Sequence, residues 1–278
     1  MKCAWESLLS VLPPRLRLTV DKYGRDDGEE LRLRAGRPAE LVRHTEARNL
    51  ETVTTLEDIC FVINTASRYS PWAAATISRG YITAPGGHRI GICGDCVIKD
   101  GKVSGIRTAT SLCIRIARDF EGVGQGLPAS GSLLILGPPG SGKTTLLRDL
   151  IRSRSGKYPI TVVDERGELF STGKTFDTGL RTDILTGCSK LQGIEMALRT
   201  MGPRCIAVDE ITAQEDCTAL MTAGWCGVEL LATAHAGAIA DFKRRPVYRP
   251  LWETGLFDRV VVMNRDKSWR MERMGICT

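Results

Sequence analysis

The residues Gly137-Pro138-Pro139-Gly140-Ser141-Gly142-Lys143-Thr144 constrain this chain more than any other stretch. They follow the apolar run Leu133-Leu-Ile-Leu136 and precede Thr145-Leu-Leu-Arg-Asp-Leu-Ile-Arg152. A short buried strand, a glycine-rich turn and a helix thus come in the order that a phosphate-binding loop requires. Gly140 and Gly142 let the backbone turn its N–H groups inward around a phosphate, and the helix that follows adds the positive end of its dipole. Lys143 sets a charge on the β- and γ-phosphates, and the Thr144 hydroxyl is placed to ligate Mg²⁺. A glycine-rich turn before an ordinary helix would need neither the lysine nor the threonine. The expected ligands are ATP and Mg²⁺, with Gly137 through Thr145 as the nucleotide-binding residues.

The rest of the composition narrows the class. A chain of 278 residues with 42% hydrophobic and 25% charged residues has room for one large or two modest soluble domains. No apolar run approaches the ~18 residues that a membrane-spanning helix needs. The segment Met1–Ser10 carries Glu6 and no long apolar core, so it does not read as a signal peptide, and the cytoplasm is the expected compartment. Ten cysteines are then expected mostly as free thiols. Cys93-Gly-Asp-Cys96 is the one close pair, but neither Cys113 nor His88 completes a second zinc knuckle. Ordinary residues are expected there, with metal binding left open. The net charge of +6 is spread over both halves of the chain and makes no basic tail.

The pattern along the chain divides it in two. Trp5 to Leu18 reads as a helix broken at Pro13-Pro14, and Glu30–Arg34 and Ala39–Arg43 read as strands around a Gly36–Pro38 turn. Thr54-Thr-Leu-Glu57 has the form of a capping box opening a helix through Ile59, Val62, Ile63 and Ala66 that ends near Ser70-Pro71. A further helical patch is predicted over 72–78. Tyr81–Thr83, His88–Ile92, Val97–Ile98 and Ser111–Ile116 are strand-like, with turns at Pro85–Gly87 and Lys99–Lys102. The glycine-rich stretch 121–131 reads as a linker, giving an α+β domain over 1–128 and a second domain over 129–278. In the second, strands at 133–136, 160–163, 205–208, 230–233 and 260–263 alternate with helices at 144–152, 189–200 and 212–223. This predicts an α/β fold with a mostly parallel sheet, whose ligands sit at the carboxyl ends of the strands.

Three of those strand ends carry chemistry. Cys205-Ile-Ala-Val-Asp209-Glu210 has the form of a Walker B strand, in which Asp209 holds Mg²⁺ through water opposite Thr144 and Glu210 polarises the attacking water. Ile160-Thr-Val-Val-Asp164-Glu165 ends in a second acidic cluster, where Asp164 or Glu165 suits the positioning of water or metal. Leu230-Leu-Ala-Thr-Ala-His235 places Thr233 and His235 at a third end, where His235 suits sensing of the γ-phosphate. Arg107, Arg115, Arg118, Arg181 and Arg199 are candidate charge donors to that phosphate, and a neighbouring subunit can supply such an arginine.

Together these motifs resemble the RecA-like, AAA+-type ring ATPases of type II and type IV secretion, which carry an acidic box before Walker B and a histidine box after it. Glu30–Pro38, Gly80–Thr83, Gly87–Gly94, Ser111–Arg118, Val163–Glu168, Arg181–Leu185, Val208–Ile211, Ala232–Ala236 and Arg245–Val247 resemble more specifically the stage III sporulation protein AA family. That resemblance implies a RecA-like core in a hexameric ring with ATPase activity. It also implies membrane-embedded sporulation channel proteins as partners and a place at the mother-cell side of the forespore membrane. Two departures keep both glutamates in contention. The acidic box reads Asp164-Glu165 where secretion ATPases usually place Glu before Asp, and Walker B ends Asp-Glu where they often have Gly-Glu. Two other functions remain compatible with such a core: a nucleic-acid-stimulated motor, which the aromatic content of 6% disfavours, and a nucleotide-gated scaffold with little turnover.

Overall fold

The computed structural model describes residues 2–3, 5–43, 46–67, 77, 80–170 and 176–273. Two compact units result. The first is the chain up to Asp119, and the second comprises Phe120–Phe170 and Asp177–Thr278. The predicted helical patch at 72–78 and the expected helix end at Ser70-Pro71 lie outside the described residues, apart from Ile77.

In the first unit, helices α1 (Trp5–Val11) and α2 (Pro14–Gly24) flank the Pro13-Pro14 break. Helix α2 runs past the expected end at Leu18, because Pro14 sits in its first turn, where a missing N–H costs nothing. Strand β1 (Lys2–Cys3) pairs only with β8 (Arg118–Asp119). The remaining strands, β2 (Glu30–Arg34), β3 (Pro38–Arg43), β4 (Glu46–Val53), β5 (Tyr81–Thr83), β6 (Arg89–Lys99) and β7 (Lys102–Arg115), form one antiparallel sheet in the order β4-β3-β2-β7-β6-β5. In β2 every second residue is buried, so Leu31 and Leu33 meet Leu8, Leu16, Ile59 and Ile114 in one core. The strand fragments expected between 88 and 116 are a single long hairpin. Its tip, Asp100-Gly101, has φ of 52° and 72°, the pair of left-handed residues that a tight hairpin turn demands.

Helix α3 (Leu56–Ala66) starts one residue later than the sequence suggests. Its capping box is Thr55 with Asp58, not Thr54 with Glu57: the Thr55 N–H donates to Asp58 Oδ2 at 2.7 Å, and the Asp58 N–H donates to Thr55 Oγ1 at 3.2 Å. Asp58 is also hydrogen-bonded and ion-paired with Arg15, whereas Glu57 feels Arg15 only through space, and that selects the register.

The second unit is a seven-stranded sheet in the order β11-β10-β12-β13-β9-β14-β15. Its strands are β9 (Leu133–Leu136), β10 (Ile160–Asp164), β11 (Thr182–Thr186), β12 (Cys205–Ile211), β13 (Glu229–Ala234), β14 (Arg259–Met263) and β15 (Trp269–Arg273). Each neighbouring pair is parallel except β14 with β15. All of β9 and β10 is buried, as expected of strands covered on both faces. Helices α4 (Lys143–Ser155), α5 (Lys190–Thr200), α6 (Gln214–Trp225), α7 (Ile239–Arg244) and α8 (Arg249–Glu253) connect them.

The glycine-rich stretch expected as a linker is fastened to α4 rather than left free. The N–H groups of Gly122 and Gly124 donate to the Asp149 carboxylate at 3.0 and 2.8 Å. Arg154, 1% exposed, donates to the carbonyls of Gly131 and Pro128 at 2.7 and 2.8 Å. Strands β4, β11 and β15 and helices α7 and α8 carry no clear sequence signal. Leu50 is the one buried residue of β4, and β15 has none, so neither shows an apolar alternation.

Candidate functional site

Strand order decides which side chains meet. The phosphate loop follows β9 and the Asp209-Glu210 pair ends β12, but β13 lies between those two strands. Thr233 and His235 are two residues apart at the end of β13 and therefore share a face. They fill the gap between loop and carboxylates.

The loop itself has the expected shape. Gly140 and Gly142 hold φ of 76° and 93°, and the space before Gly140 that a Cβ would occupy is open. A Cβ on Gly137 would stand 2.5 Å from Ser141 Oγ and 3.1 Å from the Met263 carbonyl oxygen, so that position is closed to side chains. Pro138 and Pro139 stiffen the turn. Lys143 begins α4 and is only 6% exposed. Its Nζ donates to the Pro138 carbonyl at 2.9 Å and lies 3.0 Å from His235 Nδ1. Burial lowers the Lys143 pKa from its ordinary value, and the nearby Asp209 and Glu210 work against that. His235 Nε2 in turn lies 3.2 Å from Glu210 Oε1.

A second chain of contacts runs alongside. Thr144 Oγ1 donates to Asp209 Oδ2 at 3.1 Å, and Thr233 Oγ1 donates to Asp209 Oδ1 at 2.8 Å. The Glu210 N–H is shared between Asp209 Oδ1 at 3.0 Å and Thr233 Oγ1 at 2.9 Å. Glu210 has φ of 37° and sits where the β12–β13 register shifts between Val208 and Ile211. A bulge re-aims a side chain at a strand end, and a left-handed glutamate is a strained conformation that recurs at functional sites. The Thr144 hydroxyl and Asp209 carboxylate converge as two oxygen donors, leaving the remaining positions of a six-coordinate Mg²⁺ to phosphate and water. The residues present fit nucleotide and metal.

The other acidic end is built differently. Asp164 is 1% exposed and accepts the N–H groups of Glu168, Leu169 and Phe170 at 2.8, 2.9 and 2.9 Å. Burial pushes its pKa up to about 6, against the pull of those donors, and Asp209 adds to the rise. From α4, Arg148 Nε donates to the Leu169 carbonyl at 2.7 Å, so donors and acceptors of the same turn are both satisfied. Glu165 pairs with Lys190 Nζ at 3.0 Å. Arg148 and Lys190 carry no motif that would single them out. The strand-end pattern marks Asp164, Thr233 and His235 but does not show that Asp164 caps the turn after it.

The candidate arginines fall in several settings. Arg107 and Arg115 are exposed on β7 of the first unit. Arg118 donates to the carbonyls of Gly28 and Asp26, and Arg181 donates to that of Lys157 at 2.8 Å. Arg199 faces Glu195 one turn back on α5. Cys93 and Cys96 are exposed on β6, and among the described residues no three His, Cys, Asp or Glu side chains gather as a metal site. Also among the described residues, no helix is long and apolar enough to cross a membrane.

Residues 5–276 match the family model described as sporulation stage III, protein AA. The chain belongs to this family. Stage III sporulation protein AA of Bacillus subtilis (strain 168) is 38% identical to it over 256 residues, which cover 86% of this chain and 83% of that one. Among solved structures, the pilus retraction motor PilT with bound ADP superposes with a TM-score of 0.60 at 15% identity, covering 95% of this chain and 83% of that one. The Legionella pneumophila ATPase DotB gives 0.57 at 16% identity, covering 88% and 76%. At such identities the likeness speaks for the fold: this member of the stage III family has the RecA-like α/β architecture of secretion ATPases.

Proposed function

We propose that this chain is a Mg²⁺-dependent ATPase that assembles into a ring, hexameric as the family resemblance implies, and serves a sporulation channel. The observation that carries this reading is the linked constellation Lys143–His235–Glu210 beside Thr144–Asp209–Thr233. It supplies a phosphate cradle, two metal-directed oxygens and a carboxylate in hydrogen-bonded register.

The backbone of Gly137–Thr145 wraps the phosphates, and Lys143 contributes its charge to them. Thr144 and Asp209 hold Mg²⁺, which when bound neutralises charge on the phosphate oxygens. Glu210 takes the proton of the attacking water. Glu165 lends negative charge nearby, but its carboxylate is engaged by Lys190 Nζ at 3.0 Å, so Glu210 is assigned the base role. His235, which touches both Lys143 and Glu210, relays the departure of the γ-phosphate to the carboxylate. Arg107 or Arg115 of a neighbouring copy supplies charge to the leaving phosphate. The partners are membrane-embedded channel proteins at the mother-cell side of the forespore membrane, and the protein acts from the cytoplasm.

The test is ATP hydrolysis measured against protein concentration, with mass from light scattering on the same samples. The expected result is a specific rate that rises as the ring forms. Lys143→Ala should abolish it, and Glu210→Gln should lower kcat by about 10²-fold or more with nucleotide still bound. Glu165→Gln should cost less. Mg²⁺-dependent turnover retained in Lys143→Ala would sink the assignment.

A further inference from the structure

Lys190 is the first residue of α5 and is 6% exposed. Its Nζ lies 3.0 Å from Glu165 Oε2 and 3.4 Å from Asp216 Oδ2. Those two carboxylates serve different strand ends. Glu165 follows Asp164 at the end of β10. Asp216, in the first turn of α6, accepts the N–H groups of Thr212 and Ala213 at 2.9 and 3.2 Å, and those residues follow Glu210 and Ile211 directly. One ammonium therefore ties both acidic ends together. Lys190 lines the same cleft as Asp164, Glu165, Asp209 and Glu210.

A buried lysine is expensive to desolvate, and an apolar residue of similar size would serve packing as well or better. What the charge adds is a choice between two glutamates that the sequence leaves equivalent. Ion pairing occupies the Glu165 carboxylate and directs it toward the start of α5. Through Asp216, the same lysine fixes the turn that follows the left-handed Glu210. We propose that Lys190 is a positioning residue that leaves Glu210 as the water-activating carboxylate by neutralising Glu165 and anchoring the turn after Glu210. This rests on the ATPase reading given above. Lys190 acts on the carboxylates and not on the phosphates, so its removal should be felt in kcat and not in nucleotide affinity.

The experiment is a double-mutant cycle in the full chain, with Lys190→Met and Glu165→Gln alone and combined. Steady-state kcat and KM for ATP are measured together with the affinity of a fluorescent ATP analogue. Lys190→Met should lower kcat roughly tenfold, a coupling of ordinary size for contacting residues, with KM and analogue affinity unchanged. The loss should shrink severalfold when Glu165 is already Gln, because the competing carboxylate is gone. Lys190→Arg keeps the charge and should recover most of the rate. If Lys190→Met does not fold, Lys190→Gln takes its place in the cycle, and the same loss in kcat and the same dependence on Glu165 are expected. A kcat equal to that of the parent, a loss indifferent to Glu165, or a loss confined to KM would overturn the role of Lys190 while leaving the ATPase intact. No turnover by the parent at any concentration would overturn the ATPase reading itself, and the role of Lys190 with it.

Discussion

Strands β10 and β12 lie side by side in one sheet, and both run from buried apolar residues into Asp-Glu. The fold uses the two pairs in opposite ways. Asp164 turns back on its own chain, where it accepts three N–H groups of the turn that follows and is out of reach of solvent. Asp209 faces across β13 to Thr144 and stays partly exposed. The difference arises after the dipeptide. A turn through Gly167 at φ 65° folds the N–H groups of Glu168, Leu169 and Phe170 onto Asp164. Ile211 returns to the sheet instead, and the N–H groups of Thr212 and Ala213 go to Asp216. The surroundings of a carboxylate at a strand end are thus set by the residues that follow it, whatever the strand before it.

Exchanging the two aspartates breaks the comparison most sharply. Asp209→Ala should eliminate Mg²⁺-dependent turnover at a small cost in stability. Asp164→Ala strands three buried donors, each worth about 1–3 kcal/mol, so urea unfolding should report a loss of at least about 3 kcal/mol. Equal stability losses in the two variants would mean that the ends are not functionally distinct. Thr233→Val has a smaller expected effect. It removes a hydroxyl that bridges Asp209 and the Glu210 N–H, while Asp209 still accepts that N–H. A loss near 1 kcal/mol should accompany a fall in kcat, because the bulge loses one of its two restraints.

The smallest effect sharpens the account of Asp164. Its folded pKa of about 6 lies above the ordinary 3.8, so its contribution to stability is present at acid pH and is lost as pH rises through about 6. The stability gap between the parent and Asp164→Ala should therefore narrow from pH 4 to pH 6. A gap that widens instead would mean that the three N–H donors outweigh burial. Asp58 acts in the opposite sense. Burial alone would raise it, but Arg15 and the Thr55 N–H hold it below its ordinary value, so its contribution is lost as pH falls. Comparing the two variants, rather than the parent alone, isolates Asp164 from that background.

Much of this was legible in the residues. Leu133–Leu136 and Glu30–Arg34 are strands with the bounds that their apolar patterns predict, and the phosphate loop and Walker B aspartate converge as their spacing requires. Other features were not, for reasons of physics. Lys190 opens an amphipathic helix, where a lysine ordinarily faces water, and only the tertiary fold buries it. Asp164 and Asp209 follow similarly buried strands, so the strands themselves do not tell the two apart; only the residues after each Asp-Glu do. Thr54 and Thr55 offer equivalent caps until Arg15, 43 positions away in the chain, selects Asp58. Edge strand β15 buries nothing, so it leaves no hydrophobic trace.

The place of β9 in the sheet has a consequence for how the chain is made. Its two neighbours are β13 and β14, which span Glu229–Ala234 and Arg259–Met263. Synthesis proceeds from the N-terminus, and contacts between distant parts of a chain form late. The loop at 137–144 therefore leaves the ribosome long before either strand that braces it. A nascent chain halted short of Glu229 would display the whole phosphate-loop sequence without the sheet that shapes it. Under the proposed function, nucleotide retention is acquired only once both strands that flank β9 are in place.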